Sequence, residues 1–352
     1  MKTLRLIVDP ARLNDADAKE ALERGAGILR GGGLVALPTE TVYGLGANAL
    51  DREAVERIFV AKKRPAWDPV IVHIADMAML EGLVSSVPEA ARKLMVAFWP
   101  GPLTLLLPRS SAVPEVVTAG RPLVGVRMPA HPVATELIRR AGVPVAAPSA
   151  NTFGHISPTT AEHVLEDLDG RIDAVIDAGP TLHGVESTVL DPGQSPMMIY
   201  RPGRVTSVQI RDTAGVVEIF SGDGNLVDAP QEALPSPGVG LRHYAPRARL
   251  VLVEGPLDGM AARLGEAASR LREERIGVML PTGVSWDGAG AVSYPWGGWS
   301  EPEELARNLY AGLRKLDAEG CTVILCPMPA DGGIGAALRD RLWKAGRAGA
   351  RD

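Results

Sequence analysis

The stretch "GGLVALPTETVYGLGANAL", Gly32 to Leu50, starts as an apolar strand and then breaks its pattern. Leu34 to Leu37 suit burial on both faces of a sheet, as in a strand covered by helices on either side. After Pro38 come two threonines, a glutamate, a tyrosine and two glycines. An ordinary turn would be richer in Asn, Asp and Ser. In open α/β sheets, ligands sit where strands end. Thr39 leaves the strand at that place. Glu40 is a candidate partner for a cation of such a site, and Tyr43 a candidate core residue; the sequence alone decides neither. Gly44 and Gly46 let the backbone turn closely.

The surrounding sequence repeats this alternation. "REAVERIFVAKKR" has helical spacing at Val55, Ile58 and Phe59. "PVIVHIA", "PLTLLLP", "VGVRMP" and "VPVAAPSAN" read as strands. "PEAARKLMVAFW" and "HPVATELIRRAG" read as helices, the second stopped by Gly142. "SPTTAEHVLEDLDG" is a helix with Thr159 and Glu162 at capping-box spacing. "DAVIDAG", "ESTVLD" and "MMIYRPG" close an α/β domain with a mixed sheet over residues 1–215. Residues 216–248 are rich in Gly, Pro, Ser and Asp and read as a linker, into which "RHYAP" brings an Arg-His-Tyr cluster. Residues 249–352 return to helix-joined strands, which predicts a smaller Rossmann-like parallel α/β domain. There "DGGIGAAL", Asp331 to Leu338, reads as a strand-to-helix turn or a glycine-rich phosphate loop.

The totals bound the function. A chain of 352 residues implies about two domains. The net charge of -5 provides no global basic field for nucleic acid. Only Cys321 and Cys326 are present, both within "CTVILCPMP", so they read as reduced core thiols and not as a disulfide or zinc framework. The six histidines form no His-x-x-x-His pattern, and no metal site made wholly of side chains is expected. No apolar run approaches the ~20 residues of a membrane span, and a cytoplasmic protein is expected.

Walker A, G-x-S-x-G and HExxH motifs are absent. The candidates are polar groups at apolar strand ends. Lys62, Lys63 and Arg64 end a predicted helix, either as solvated complements of its dipole or as a polyphosphate clamp. His73 sits among β-branched residues, as a structural histidine or a ligand contact. Arg127 ends an apolar strand, where a buried carboxylate or an anionic ligand must meet it. In "AAPSAN", Ala147 lets a ligand approach the backbone, and Ser149 and Asn151 either bond it or form a local turn. A helix starting near Ser157 offers N–H groups for phosphate. Glu186, Ser187 and Thr188 lie on a strand suited to burial, and Arg201 stands at another strand end. Together they favour a concave anion site.

In order along the chain, "PTETVYGLGANA", "AKKRP", "PVIVHIA", "WPGPLTLLL", "VRMPAHP", "APSAN", "SPT", "GVESTVLD" and "RPG" resemble the YrdC-like family. "SPGVGLRHYAPRARL" and "IGAALRDRLW" resemble its long, two-domain form. The resemblance covers nearly the whole chain. It implies a YrdC-like twisted mixed sheet and synthesis of L-threonylcarbamoyladenylate from L-threonine, bicarbonate and ATP with Mg2+. A downstream transferase complex would use the product to form t6A at position 37 of ANN-decoding tRNAs, and direct tRNA binding would be weak at most.

The family's KxR element matches Lys62 and Arg64, the catalytic pair, and its SxN element matches Ser149 and Asn151. The resemblance puts Thr39, His73, Arg127, Ala147 and Ser187 near threonine. It puts Lys62, Arg64, Ser149, Asn151, Ser157, Arg201, His243 and Tyr244 around ATP. One departure is Asp68, where the family commonly carries Lys, Asn or a similar polar residue. An acid there does not neutralise phosphate, and it is a position that could attract Mg2+. A basic RNA-binding module, a hydrogenase-maturation carbamoyltransferase and a nucleotide sensor built on the C-terminal domain are the rival readings.

Overall fold

The computed structural model describes residues 2–220, 236, 244–271, 273–288 and 290–346. They form two compact units. The second unit comprises Gly154–Ile156, His183–Val185 and the described residues of 241–352; the first holds the rest.

In the first unit the elements are β1 (Leu4–Ile7), α1 (Ala16–Arg30), β2 (Val35–Leu37), β3 (Gly44–Asn48), α2 (Arg52–Lys62), β4 (Ile71–His73), α3 (Met77–Glu81), α4 (Glu89–Phe98), β5 (Leu103–Pro108), α5 (Glu115–Thr118), β6 (Leu123–Arg127), α6 (Pro132–Ala141), β7 (Val145–Ala146), α7 (Ala161–Leu168), β8 (Ala174–Asp177), β9 (Thr188–Asp191), β10 (Met197–Arg201), α8 (Ser207–Ala214) and β11 (Val217–Ile219). Among the described residues they build one mixed sheet of eleven strands, ordered β1-β8-β2-β3-β7-β4-β6-β5-β9-β10-β11. The twisted mixed sheet expected from the sequence is present. It runs on to Ile219, past residue 215, because Val217 to Ile219 pair in parallel with Met197 to Ile199.

The short strand β2 shows why its sequence is wholly apolar. Leu34 and Ala36 join one core with Val55 and Ile58 of α2. Val35 and Leu37 join another with Leu22 and Leu29 of α1 and Leu137 of α6. Successive side chains point to opposite faces, and both faces are covered.

The sequence reading is corrected at the glycines. Gly44 and Gly46 are not turn residues; they lie in β3, antiparallel to β2. A Cβ on Gly46 would stand 2.8 Å from Leu37 Cδ2 and 2.9 Å from Val145 Cγ1, so the position needs the absence of a side chain, not an unusual φ. The N-cap of α7 is Thr160, whose hydroxyl accepts from the His163 amide at 3.3 Å, and not Thr159. That helix begins at Ala161, beyond Ser157, so Ser157 does not bring helix N–H groups to a ligand.

The second unit holds β12 (Arg249–Val253), α9 (Met260–Ser269), β13 (Ile276–Pro281), β14 (Val292–Gly297), α10 (Pro302–Ala318), β15 (Val323–Pro327) and α11 (Ile334–Gly346). Its four strands are all parallel in the order β12-β15-β13-β14, the expected Rossmann-like arrangement. Val253, Met260, Leu264, Val278 and Leu325 form its core. Strand β14 was not legible, because "VSYPWG" carries Pro295. It occupies the sheet edge, where a missing N–H is tolerated. Cys321 and Cys326 are buried free thiols. "DGGIGAAL" is the turn from β15 into α11, with Gly332 and Gly333 at φ 110° and 55°. Among the described residues no helix is long and apolar enough to cross a membrane.

Candidate active site

The polar exit of β2 is the loop 38–43 that leads into β3. Thr39 holds it in shape. Its hydroxyl donates to the Val42 carbonyl at 2.6 Å, shares a 2.8 Å hydrogen bond with the Thr41 hydroxyl, and accepts from the Val42 amide at 3.3 Å. Tyr43 is core: its ring is fully buried and its hydroxyl donates to the Gly179 carbonyl at 2.7 Å. Glu40 takes the ion-pair option, with Oε1 2.6 Å from Arg127 Nη2.

Arg127 ends β6 and lies beside His73 of β4 in the parallel register. Its Nη1 donates to Thr41 Oγ1 at 3.0 Å and its Nε to the Gly101 carbonyl at 3.2 Å. His73 is buried with Nδ1 unpartnered. Burial, reinforced by Arg127, lowers its pKa from 6.5 to about 3. The folded chain therefore keeps His73 neutral where the unfolded chain protonates it. Stability contributed this way is intact above about pH 6.5. It falls as pH drops towards 3, by up to ~1.4 kcal/mol per pH unit. His73→Gln should remove that slope from urea midpoints measured at pH 7, 6 and 5. An unchanged slope would place its origin elsewhere.

Helix α2 ends at Lys62, and Lys63 caps it in the left-handed region at φ 53°. Lys62 is 1% exposed, and its ammonium donates to the carbonyls of Ser149 and Asn151. The loop 148–151 is itself pinned to β3 and to the residue before it, with Leu45 N–H donating to the Pro148 carbonyl at 2.7 Å and Ala150 N–H to the Tyr43 carbonyl at 2.8 Å. Ala147 N–H donates to Ile71 at 2.8 Å. Desolvation, with Arg64 next in weight, holds the Lys62 ammonium well below the usual lysine pKa.

Arg64 donates to the carbonyls of Asp68 and Pro69 at 3.0 and 2.6 Å, and pairs with the Asp68 carboxylate at 3.0 Å. Its guanidinium also lies 5.8 Å from the Phe153 ring centroid. Asp68 is fully buried. Burial raises its carboxyl pKa, against the charges of Arg64, Lys62 and Arg201. Those three cations thus share one neighbourhood.

Arg201 ends β10 and is 5% exposed. Its Nε donates to the Ser187 carbonyl at 3.0 Å and its Nη2 to the Ser187 hydroxyl at 3.1 Å. Ser187 Oγ also meets Thr104 Oγ1 at 2.8 Å. Among the described residues Arg201 makes no ion pair. Glu186 and Ser187 precede β9, which starts at Thr188, and Ser157 Oγ donates to Glu186 Oε1 at 2.5 Å. The glycine of "RPG" makes this junction possible: a Cβ on Gly203 would stand 2.4 Å from Thr188 N and 2.6 Å from Ser187 C.

The structure joins Thr39 and Arg127 through Thr41, sets Arg127 beside His73, and joins Lys62 to Ser149 and Asn151 and Ser187 to Arg201. Sequence reasoning missed Thr41 and Thr104. Thr104 was detectable in principle, as the lone hydroxyl in "PLTLLLP". Tyr244 belongs to the second unit, where its ring stacks on Tyr310 at 5.8 Å and Arg341 lies 5.1 Å over it. His243 lies outside the described residues, as does most of the linker 216–248. Among the described residues no group of three or more His, Cys, Asp or Glu side chains could hold a metal ion.

Residues 27–203 match the Sua5/YciO/YrdC family model, described as "Telomere recombination". Residues 205–347 match "Threonylcarbamoyl-AMP synthase, C-terminal domain". A threonylcarbamoyl-AMP synthase of Pyrococcus abyssi is 47% identical, covering 91% of this chain and 92% of the relative. One of Bacillus subtilis is 43% identical, covering 98% of each. The crystal structure of P. abyssi Sua5 complexed with L-threonine superposes with a TM-score of 0.90 at 42% identity, covering 98% of each chain. Both domains are matched by family models and both relatives are covered almost end to end, and the chain belongs to the Sua5/YciO/YrdC family in its two-domain form.

Proposed function

We propose that this chain is an L-threonylcarbamoyladenylate synthase, a nucleotidyltransferase that condenses L-threonine, bicarbonate and ATP and releases pyrophosphate. The observation that carries the reading is a cluster of buried cations. Lys62, Arg64 and Arg201 all act on the buried Asp68 carboxylate, and Arg201 has no acidic partner among the described residues. Buried charge needs compensation, and a polyphosphate supplies it. The relatives' names and the threonine-bound neighbour identify the acyl half of the product.

The residues suit a reaction without a side-chain nucleophile. Threonine's amine and bicarbonate give the N-carboxylate and water. A carbamate oxygen then bonds to the α-phosphorus as the bond to pyrophosphate breaks. The protein positions anions and stabilises charge. Lys62, Arg64, Ser149, Asn151, Ser157 and Arg201 serve the nucleotide. Thr39, His73, Arg127, Ala147 and Ser187 serve threonine. Neutral His73 can accept a hydrogen bond there. The residues do not fit an all-protein Mg2+ site: Asp68 is engaged by Arg64, and Mg2+ enters with ATP. The product would pass to a transferase complex that forms t6A in tRNA.

Pyrophosphate release should require ATP, L-threonine and bicarbonate together, with omission of any one abolishing it. Release that persists without threonine or bicarbonate would refute the reading.

A further inference from the structure

Glu40 neutralises Arg127 before any substrate arrives. The two side chains are 6% and 4% exposed, and Arg127's charge keeps the carboxyl below its usual pKa although burial works to raise it. Arg127 Nη2 and both Glu40 oxygens are buried, and the backbone N–H groups of Glu40 and Ala130 also favour the charged carboxylate. Nε and Nη1 are meanwhile fixed by Gly101 and Thr41, so the guanidinium plane is set. His73 and His131, the other titratable groups near this pair, are held towards the neutral form by burial. The site thus has two electrostatic halves. The Lys62, Arg64 and Arg201 half gathers three buried cations, Arg201 with no ion pair among the described residues, whereas the one cation of the other half, Arg127, is held by Glu40.

We infer that Glu40 is a positioning and specificity residue. Held beside Arg127, it makes this half complementary to a zwitterionic amino acid and unattractive to polyanions, so that threonine and the triphosphate sort to different halves. A carboxylate completes Arg127, and an α-ammonium is drawn to Glu40. Thr41 shares the task by orienting Nη1. The inference rests on the function proposed above.

The test is steady-state kinetics on the full chain, with calorimetric titration of L-threonine. Glu40→Gln should raise the threonine KM and Kd by about 10- to 100-fold while the ATP KM stays within about twofold. Inorganic pyrophosphate should become competitive against threonine, which it is not in the wild type. Thr41→Val, which removes one hydroxyl and keeps the shape, should raise the threonine KM by about tenfold with the ATP KM unchanged. It decides the matter if Glu40→Gln does not fold. Equal rises in both KM values, or an unchanged threonine KM in the folded variants, would overturn the inference. A wild-type chain that binds threonine but lacks turnover would sink the proposed function instead, and the threonine Kd of Glu40→Gln would still judge the role of Glu40.

Discussion

Lys62→Ala lowers threonine-dependent pyrophosphate release by about 10²- to 10³-fold, the expected cost of removing one pre-placed charge from a developing anion. The variant should remain folded. Lys62 is buried and desolvated, so its ammonium is costly in the empty site, as its lowered pKa records. Alanine removes that cost and leaves the Ser149 and Asn151 carbonyls without their donor, which costs about 1–3 kcal/mol each in the opposite direction. Stability therefore moves little while activity collapses. Lys62→Arg should not rescue. Two carbonyls cradle a compact ammonium, and the planar fork of Arg does not fit that geometry. Turnover and thermal melting on the same preparations test this. Near wild-type turnover in Lys62→Ala would remove Lys62 from the reaction.

The two arginines of the positive half should behave differently from each other. Arg64→Met removes the arginine that pairs with the fully buried Asp68 at 3.0 Å, and breaking a buried pair from one side costs about 3–5 kcal/mol. Arg201→Met breaks no ion pair, since the Arg201 side chain hydrogen-bonds only Ser187 among the described residues, and its loss also relieves a buried charge. Both variants should lose most activity, with ATP KM raised, but only Arg64→Met should melt markedly earlier. Pairing Arg64→Met with Asp68→Asn should recover much of the stability and none of the activity. Equal destabilisation by Arg64→Met and Arg201→Met would mean that Asp68 is not the counter-ion that matters.

Much of the catalytic unit was legible because local rules agreed. Val55, Ile58 and Phe59 have helical spacing and are all buried on α2. Gly142 ends α6 in the left-handed region at φ 65°. The apolar runs around His73, Arg127 and Arg201 became β4, β6 and β10, with each polar residue at the strand's last position. Boundaries failed where tertiary contacts decide them. Glu186 and Ser187 look like strand residues, but pairing of β9 with β5 begins only at Thr188, opposite Leu103. Ser157 looks like a helix start, but its hydroxyl is taken by Glu186, a residue 29 positions away.

By itself the sequence determined the fold class, the placement of Lys62 at a helix end, of Arg127 and Arg201 at strand ends and of Ser149 in the loop after a strand, and the two cysteines as core thiols. Those follow from periodicity, caps and composition, which act over a few residues. Only the tertiary structure decided how the charges divide. Glu40 is 87 positions from Arg127, while Asp68 is four from Arg64 and far in sequence from Arg201. Which cation each carboxylate neutralises depends on strand order in the sheet. In a buried site that pairing, more than the number of charges, sets which half draws a polyanion, because a close partner cancels a charge that water is no longer there to screen.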